Sequence, residues 1–187
     1  MNRIIESIPR RARVIVMLAA AAAAVWLWLA MAEAMEPAEA TGGGDIVSFE
    51  FAATAARATE ILGGWGDVGR RGAARAIRLD YGFLIVYATL LALLAGSVAM
   101  AARQRVSDRI YRLGWTAAAL AVGAGALDAI ENTMLLATIG RYDAGEISGA
   151  HTAVAALAAG PKFVFLILTI VYVVGVAGYL WSKRLSS

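Results

Sequence analysis

Four long apolar stretches, separated by charged or glycine-rich segments, dominate the pattern of this chain. They cover residues 14–32, 80–102, 113–139 and 162–181. Each is close to or above the roughly 20 apolar residues that a helix needs to cross a bilayer. Hydrophobic residue types make up 60% of the 187 residues, and the mean hydropathy of +0.68 is too high for an ordinary soluble domain. The sequence therefore predicts an all-α integral membrane protein, a small bundle of four transmembrane helices that forms one domain.

The first apolar stretch has two interpretations. Four arginines precede it within residues 1–13, as is typical both of a membrane anchor and of a secretory signal. Ala30-Met31-Ala32 fits a signal-peptidase site, although the apolar core is longer than usual for a signal peptide. A retained anchor gives four transmembrane helices and a cleaved signal gives three, and the orientation of the remaining chain is the same in both cases.

The positions of the basic residues predict the topology. Residues 1–13, 103–112 and 182–187 together hold ten of the 17 lysines and arginines but only two acidic residues, Glu6 and Asp108. Because segments rich in lysine and arginine stay in the cytoplasm, both termini are expected there. The protein is then a multi-pass protein of an inner or plasma membrane, with residues 33–79 and 140–161 on the outer side.

The first outer segment contains an expected amphipathic helix. Residues 33–47 are acidic and rich in helix breakers, which indicates a linker. Ser48 is positioned to cap a helix over 49–62, which alternates apolar and polar stripes, and Gly63-Gly64 would end it. We expect this helix to lie on the outer face of the bundle.

Residues 64–69 match G-x-G-x-x-G, the dinucleotide-binding fingerprint. That fingerprint requires a preceding strand, whereas here it follows a predicted helix, so a turn with Asp67 capping the next helix is the better interpretation. No cofactor is predicted. In the second outer segment, residues 151–159 form a short alanine-rich helix that Gly160-Pro161 should end.

The third apolar stretch carries three polar residues inside its run. Asp128, Glu131 and Asn132 have the i, i+3, i+4 spacing that places them on one face of a helix. The same face continues through small residues that allow close helix packing, Gly114, Ala118, Ala121 and Gly125. This helix is therefore expected at the centre of the bundle, and the small residues also fit a homo-oligomer or a subunit of a larger membrane complex.

Aligning the spans by depth predicts an outward-opening polar pocket between the second, third and fourth helices. With about 1.5 Å of rise per residue from each midpoint, Tyr87, Asp128 and Thr169 fall at similar levels. The complete predicted set is Asp80, Tyr87, Asp128, Glu131, Asn132, Lys162, Thr169 and Tyr172. Lys162, or an arginine of the basic stripe described next, would offset the carboxylates.

Arg71, Arg75 and Arg78 form a basic stripe just before the second span. At headgroup level they can pair with lipid phosphates or with the acidic linker, and a dedicated site for an anionic ligand is the alternative.

Three roles for the buried acids stay open. They can hydrogen-bond to neighbouring helices and fix the packing, or Asp128 and Glu131 can share a proton for carrier or acid–base chemistry. In the third, oxygen atoms of Asp128, Glu131, Asn132 and Asp80 bind Ca²⁺ or Mg²⁺, although we assign no metal site. His151 flanks this region and is a possible base, but more simply it is an interfacial anchor.

Composition and motifs exclude several functional classes. The chain has no cysteine and a single histidine, which rules out disulfides, thiolate chemistry and haem held by two histidines. No nucleic-acid module and no catalytic signature is present. We therefore expect a non-enzymatic membrane protein that binds a lipid, a small ligand or a protein, with a membrane-embedded enzyme or a proton- or ion-coupled carrier as the alternative.

Overall fold

The computed structural model describes residues 2–185, with the side chains of 2, 104, 105 and 184 excepted. Its secondary structure consists of six helices: α1 Asn2–Ser7, α2 Arg10–Glu39, α3 Ile46–Glu50, α4 Ala55–Arg105, α5 Asp108–Asp143 and α6 Gly149–Leu185. Four of them, α2, α4, α5 and α6, are long and apolar enough to cross a membrane. The prediction of an all-α bundle of four transmembrane helices is confirmed.

The four long helices run alternately up and down. Helix α5 packs against α4 and α6, and α4 also packs against α2. At the end that we call the terminal end, Ile5 of α1 packs with Trp115 of α5, and the Tyr172 hydroxyl donates to the Ile110 carbonyl. At the other end, called the cluster end, the Trp65 indole N–H donates to the Gly44 carbonyl. The start of α2 and the last described turns of α6 also lie near the end of α4 at the terminal end, where they line a common cavity.

Helix α5 is the central helix, as its small-residue stripe predicts. Gly114, Ala118, Ala121 and Gly125 are all buried along the face that leads to Asp128. By contrast, the apolar windows of α2 and α6 contain almost no buried residues. Because soluble proteins rarely expose apolar faces of this size, these two helices present the lipid-facing surface of the bundle.

The predicted amphipathic helix 49–62 is wrong, because this segment folds as two helices. Asp45 caps α3 by accepting from the Ser48 N–H at 2.7 Å, and Thr54 caps α4 by accepting from the Arg57 N–H at 3.2 Å. Ser48 is therefore inside a helix instead of capping one. The two caps stand nine residues apart, and each fixes its own helix start, which leaves a break at residues 51–54.

Gly63-Gly64 does not end a helix. Helix α4 continues through both glycines and kinks at Gly66, whose φ is 61°. The glycines serve close packing instead, since a Cβ on Gly64 would lie 2.8 Å from the Gly43 Cα. The dinucleotide pattern thus spans the kink at Gly66 between two helical parts of α4, no strand is found in residues 2–185, and Asp67 pairs with Arg70 instead of capping.

Two other predicted breaks are also helical. Pro37 lies inside α2, which extends seven residues past the predicted span, and Pro161 lies inside α6, which begins at Gly149. Residues on both sides of these prolines pack into the bundle, including Ala34 and Ala38 in α2 and Ala159 in α6. Burial of these flanking residues outweighs the hydrogen bond that each proline removes. Helices α2 and α6 are therefore longer than the apolar stretches that they contain, and they include parts of the predicted outer segments.

Candidate functional site

A buried charged cluster joins α4, α5 and α6 at the cluster end. Asp128, Glu131 and Asn132 of α5 are 4%, 0% and 3% exposed, which places all three inside the bundle, as their shared helix face predicts. Their partners come from different helices, so the cluster is a tertiary feature that ties the bundle together.

Lys162 of α6 lies at the centre of this cluster and is 5% exposed. Its Nζ donates to Asp128 Oδ1 at 3.1 Å and to Glu131 Oε1 at 2.9 Å. Glu131 Oε2 lies 2.8 Å from the same nitrogen, as an ion-pair contact without hydrogen-bond geometry. A third carboxylate, Glu50 Oε2, lies 3.6 Å from it. The lysine thus offsets several buried carboxylates, which is the condition for keeping charges at this depth.

Helix α4 supplies two further partners. The Tyr87 hydroxyl donates to Asp128 Oδ2 at 2.8 Å, and the Asn132 side-chain amide donates to Asp80 Oδ2 at 2.7 Å. Both oxygens of Asp128 are therefore occupied. Asp80 is different, because no cation among the described residues lies within ion-pair distance of its carboxylate.

The cluster carries more acid than base. Four carboxylates, those of Glu50, Asp80, Asp128 and Glu131, face a single ammonium group. With all four ionised the site has a net negative charge, which favours a bound cation or a retained proton. It does not favour an anionic ligand.

Glu50 is the site residue that the sequence analysis missed. It is the last residue of α3, and its side chain is only 14% exposed. Burial raises the pKa of Glu50, an effect that nearby Lys162 opposes and Asp128 reinforces. A five-residue helix carries too few positions for a periodic signal, so no local pattern could have identified this residue.

A cavity of about 620 Å³ opens next to the cluster. Its walls are mainly apolar and include Trp28, Met31 and Met35 of α2 and Phe163 and Leu166 of α6. The charged and polar residues that line it come from α2 to α6, namely Glu39, Glu50, Asp80, Tyr87, Asp128, Asn132 and Lys162.

The cavity lies between two helices that do not close on each other. Helix α2 packs on α4, and α6 packs on α5 and α4, with no extended contact between α2 and α6 in the described chain. Trp28 and Val47 line the cavity and are also exposed at the protein surface. The cavity can therefore be entered from the side on which α2 and α6 present their lipid-facing residues.

Six of the eight predicted pocket residues come together, and two do not. Thr169 is fully buried against α5, where its hydroxyl donates to the Ala117 carbonyl at 3.1 Å, and Tyr172 contacts Ile110 near the terminal end. Thr169 lies about 10 Å further along α6 than Lys162, given 1.5 Å of rise per residue. The depth alignment failed because Lys162, and not Thr169, lies level with Asp128 in the structure.

The predicted basic stripe lies outside the cavity. Arg71, Arg75 and Arg78 are exposed, and none pairs with an acidic residue of the described chain. The neighbouring Arg70 is the structural arginine: it pairs with Asp67 and Asp143 and lies over the Tyr142 ring.

Two other expectations concern His151 and divalent cations. His151 does not line the cavity. Within residues 2–185, no group of three or more histidine or acidic side chains is arranged to hold a metal ion. The Lys162 ammonium instead occupies the position between Asp128 and Glu131 that an ion would need.

Comparisons with known proteins give no relative for this arrangement. No protein-family model, no curated protein and no solved structure matches the chain. The candidate function must therefore be argued from the geometry of the cavity and the cluster.

Proposed function

We propose that this chain is a non-enzymatic membrane protein that binds an amphiphilic molecule with a cationic, amine-type headgroup. The observation that carries the proposal is a mainly apolar cavity of about 620 Å³ beside the carboxylate of Asp80, which has no cationic partner among the described side chains. Cavities of about 300–1,000 Å³ are the size that small ligands occupy in proteins.

The two ends of the cavity suit the two parts of such a molecule. Its apolar tail lies between Trp28 and Met31 of α2 and Leu166 of α6. Its ammonium group donates to Asp80 and approaches the rings of Tyr87 and Phe83, which also line the cavity. The lysine already present among the other carboxylates leaves Asp80 as the available acceptor.

The test compares three single-chain amphiphiles of equal tail length that end in an amine, an alcohol and a carboxylate. Binding to the full chain in lipid nanodiscs is followed by the thermal unfolding midpoint and by quenching of tryptophan fluorescence with bromine-labelled tails. We expect the amine to bind best, and Asp80→Asn to weaken it about tenfold, equivalent to about 1.4 kcal/mol. Asp80→Asn keeps an oxygen for the Asn132 amide, so the fold is preserved.

A second variant tests the cavity itself. Ala32→Trp narrows the cavity from an exposed position of α2, and Ala22→Trp adds the same side chain at an exposed α2 position that does not line it. Only Ala32→Trp should reduce binding. Equal binding of all three amphiphiles, or equal effects of the two tryptophan variants, would contradict the proposal.

A proton-coupled carrier is the second candidate. It is favoured because the cluster contains four carboxylates and one ammonium group. It requires a proton to move when the ligand moves. The test measures whether protons are released when the amine is added in weakly buffered solution. Release by the native chain that is lost in Glu131→Gln would favour the carrier over simple binding.

A further inference from the structure

A second cavity lies at the terminal end, far from the charged cluster. It has a volume of about 560 Å³ and is formed by the start of α2 and the ends of α4 and α6. Its polar lining comes from Arg10, Arg13 and Ser97, and no acidic residue is among its lining residues. The charge of this cavity is therefore opposite to that of the cavity at the cluster end.

Arg13 is poorly satisfied within the protein. Among the described residues, its buried Nε has no hydrogen-bond partner, and its Nη1 donates only to the Met100 sulfur at 3.3 Å. A thioether is a weak acceptor for a guanidinium group, which normally binds carboxylate or phosphate through two parallel hydrogen bonds. The Ser97 hydroxyl on α4 is also buried, without a partner in the part of the chain that the structure describes. Unpaired buried donors of this kind are costly, and an anion would remove the cost.

The neighbouring backbone adds to the positive potential. Helix α2 begins at Arg10, and Pro9 before it makes no side-chain capping hydrogen bond. The free N–H groups of a first helical turn carry partial positive charge and favour anions. Arg10 thus stands at a position where two sources of positive charge coincide.

The other walls of the cavity are apolar. Val14 and Met17 of α2 and Leu180 of α6 line it, and Trp181, which is 64% exposed, stands at its rim. Tryptophan at such a position is typical of the membrane–water interface. An inorganic anion would leave these apolar walls uncovered, whereas the acyl chains of a lipid would cover them.

We propose that this cavity binds the phosphate headgroup of an anionic phospholipid through Arg10 and Arg13, with an acyl chain along Val14, Met17 and Leu180. Basic pockets between transmembrane helices are suited to such headgroups. The proposal does not depend on the ligand of the cluster-end cavity, because the two cavities share no lining residue.

Native mass spectrometry of the full chain in a mild detergent tests the site. The chain is titrated with phosphatidylglycerol and with phosphatidylcholine of the same acyl chains, and a third arm contains inorganic phosphate alone. We expect phosphatidylglycerol to bind at least tenfold more tightly than phosphatidylcholine. Inorganic phosphate should not compete at millimolar concentration.

Three variants locate the binding. Arg10→Gln with Arg13→Gln should remove the preference for phosphatidylglycerol, and Arg13→Lys should retain part of it because the charge remains. Arg11→Gln is the matched control, since Arg11 is exposed and does not line the cavity. Circular dichroism of each variant verifies folding.

Three results would overturn the proposal. The first is equal binding of the two lipids by the native chain, and the second is an equal loss in Arg11→Gln and in the double variant. The third is competition by inorganic phosphate, which would assign the arginines to a free anion instead of a lipid.

Discussion

Lys162 is the residue on which the charged cluster depends. It is held by Asp128, Glu131 and Glu50, which belong to α5 and α3, so one side chain links three helices. Burying a charged group costs several kcal/mol of desolvation. The attraction between the lysine and the carboxylates offsets this cost only while both partners are present. The cluster therefore specifies how α6 lies against α5 more than it adds net stability.

Replacing Lys162 by methionine should destabilise the fold by about 3–5 kcal/mol, because it leaves buried carboxylates without a cation. The thermal unfolding midpoint in detergent, followed by circular dichroism, measures the loss. Adding Asp128→Asn and Glu131→Gln to the same chain should recover most of it, since Glu50 is then the one carboxylate of the three around the lysine that keeps its charge. Lys183→Met, at an exposed position of α6, is the control and should change little. A loss that the neutralising substitutions do not recover would mean that lysine packing, and not charge, is decisive.

At the scale of elements, close approach of helix backbones determines the packing of α4 on α2. A Cβ on Gly72 of α4 would lie 2.3 Å from the Ala34 carbonyl oxygen, and one on Gly69 would lie 2.9 Å from the Ala38 Cα. Small residues at these positions allow the dispersion contacts that hold transmembrane helices together. This packing also positions α2 as a wall of the cluster-end cavity.

Gly72→Ala should therefore destabilise the bundle by about 1–3 kcal/mol, because a methyl group at this position forces the two helices apart. Gly175→Ala provides the matched control, since nothing lies within 4 Å of its added Cβ. In the control we expect no loss, because alanine has the higher helix propensity. The measurement is the thermal unfolding midpoint of both variants in the same detergent. Equal midpoints would show that close packing of α4 on α2 at Gly72 does not contribute to stability.

For the whole molecule, the arrangement of the helix ends predicts which connections are accessible from the cytoplasm and which from the outer side of the membrane. The α4–α5 connection at residues 106–107 lies at the terminal end, whereas Gly43 lies at the cluster end. Because basic residues are concentrated at the terminal end, we expect that end to face the cytoplasm. The cavity beside Asp80 would then open toward the outer half of the membrane.

Reporter enzymes fused after Val106 and after Ser187 should be active on the cytoplasmic side, and one inserted near Gly43 on the outer side. Alkaline phosphatase and a fluorescent protein, which report opposite compartments, give the measurement. A Val106 fusion that reports the outer side would reverse the orientation of both cavities.

We also expect the first helix to be retained in the mature protein. The intact mass of the purified protein measures this, and a mass that corresponds to a chain starting at Glu33 would contradict it.

The sequence alone determined the four spans and the inward face of α5. Both are local properties: the length of an apolar run decides whether a helix can cross a bilayer, and the spacing of Asp128, Glu131 and Asn132 decides which face they share. Helix ends were less predictable. Pro161 is a breaker by local propensity, but packing of the flanking residues keeps α6 helical through it.

The tertiary structure alone decided which residues meet in the site. Two uniformly apolar helices can slide along each other without changing the burial of either, so apolar runs do not fix relative depth. The contact of Lys162 with Glu131 sets that depth, and it moves Thr169 and Tyr172 away from the site. Glu50 joins because the α3 connection brings it back over the bundle, a long-range contact that no local pattern encodes.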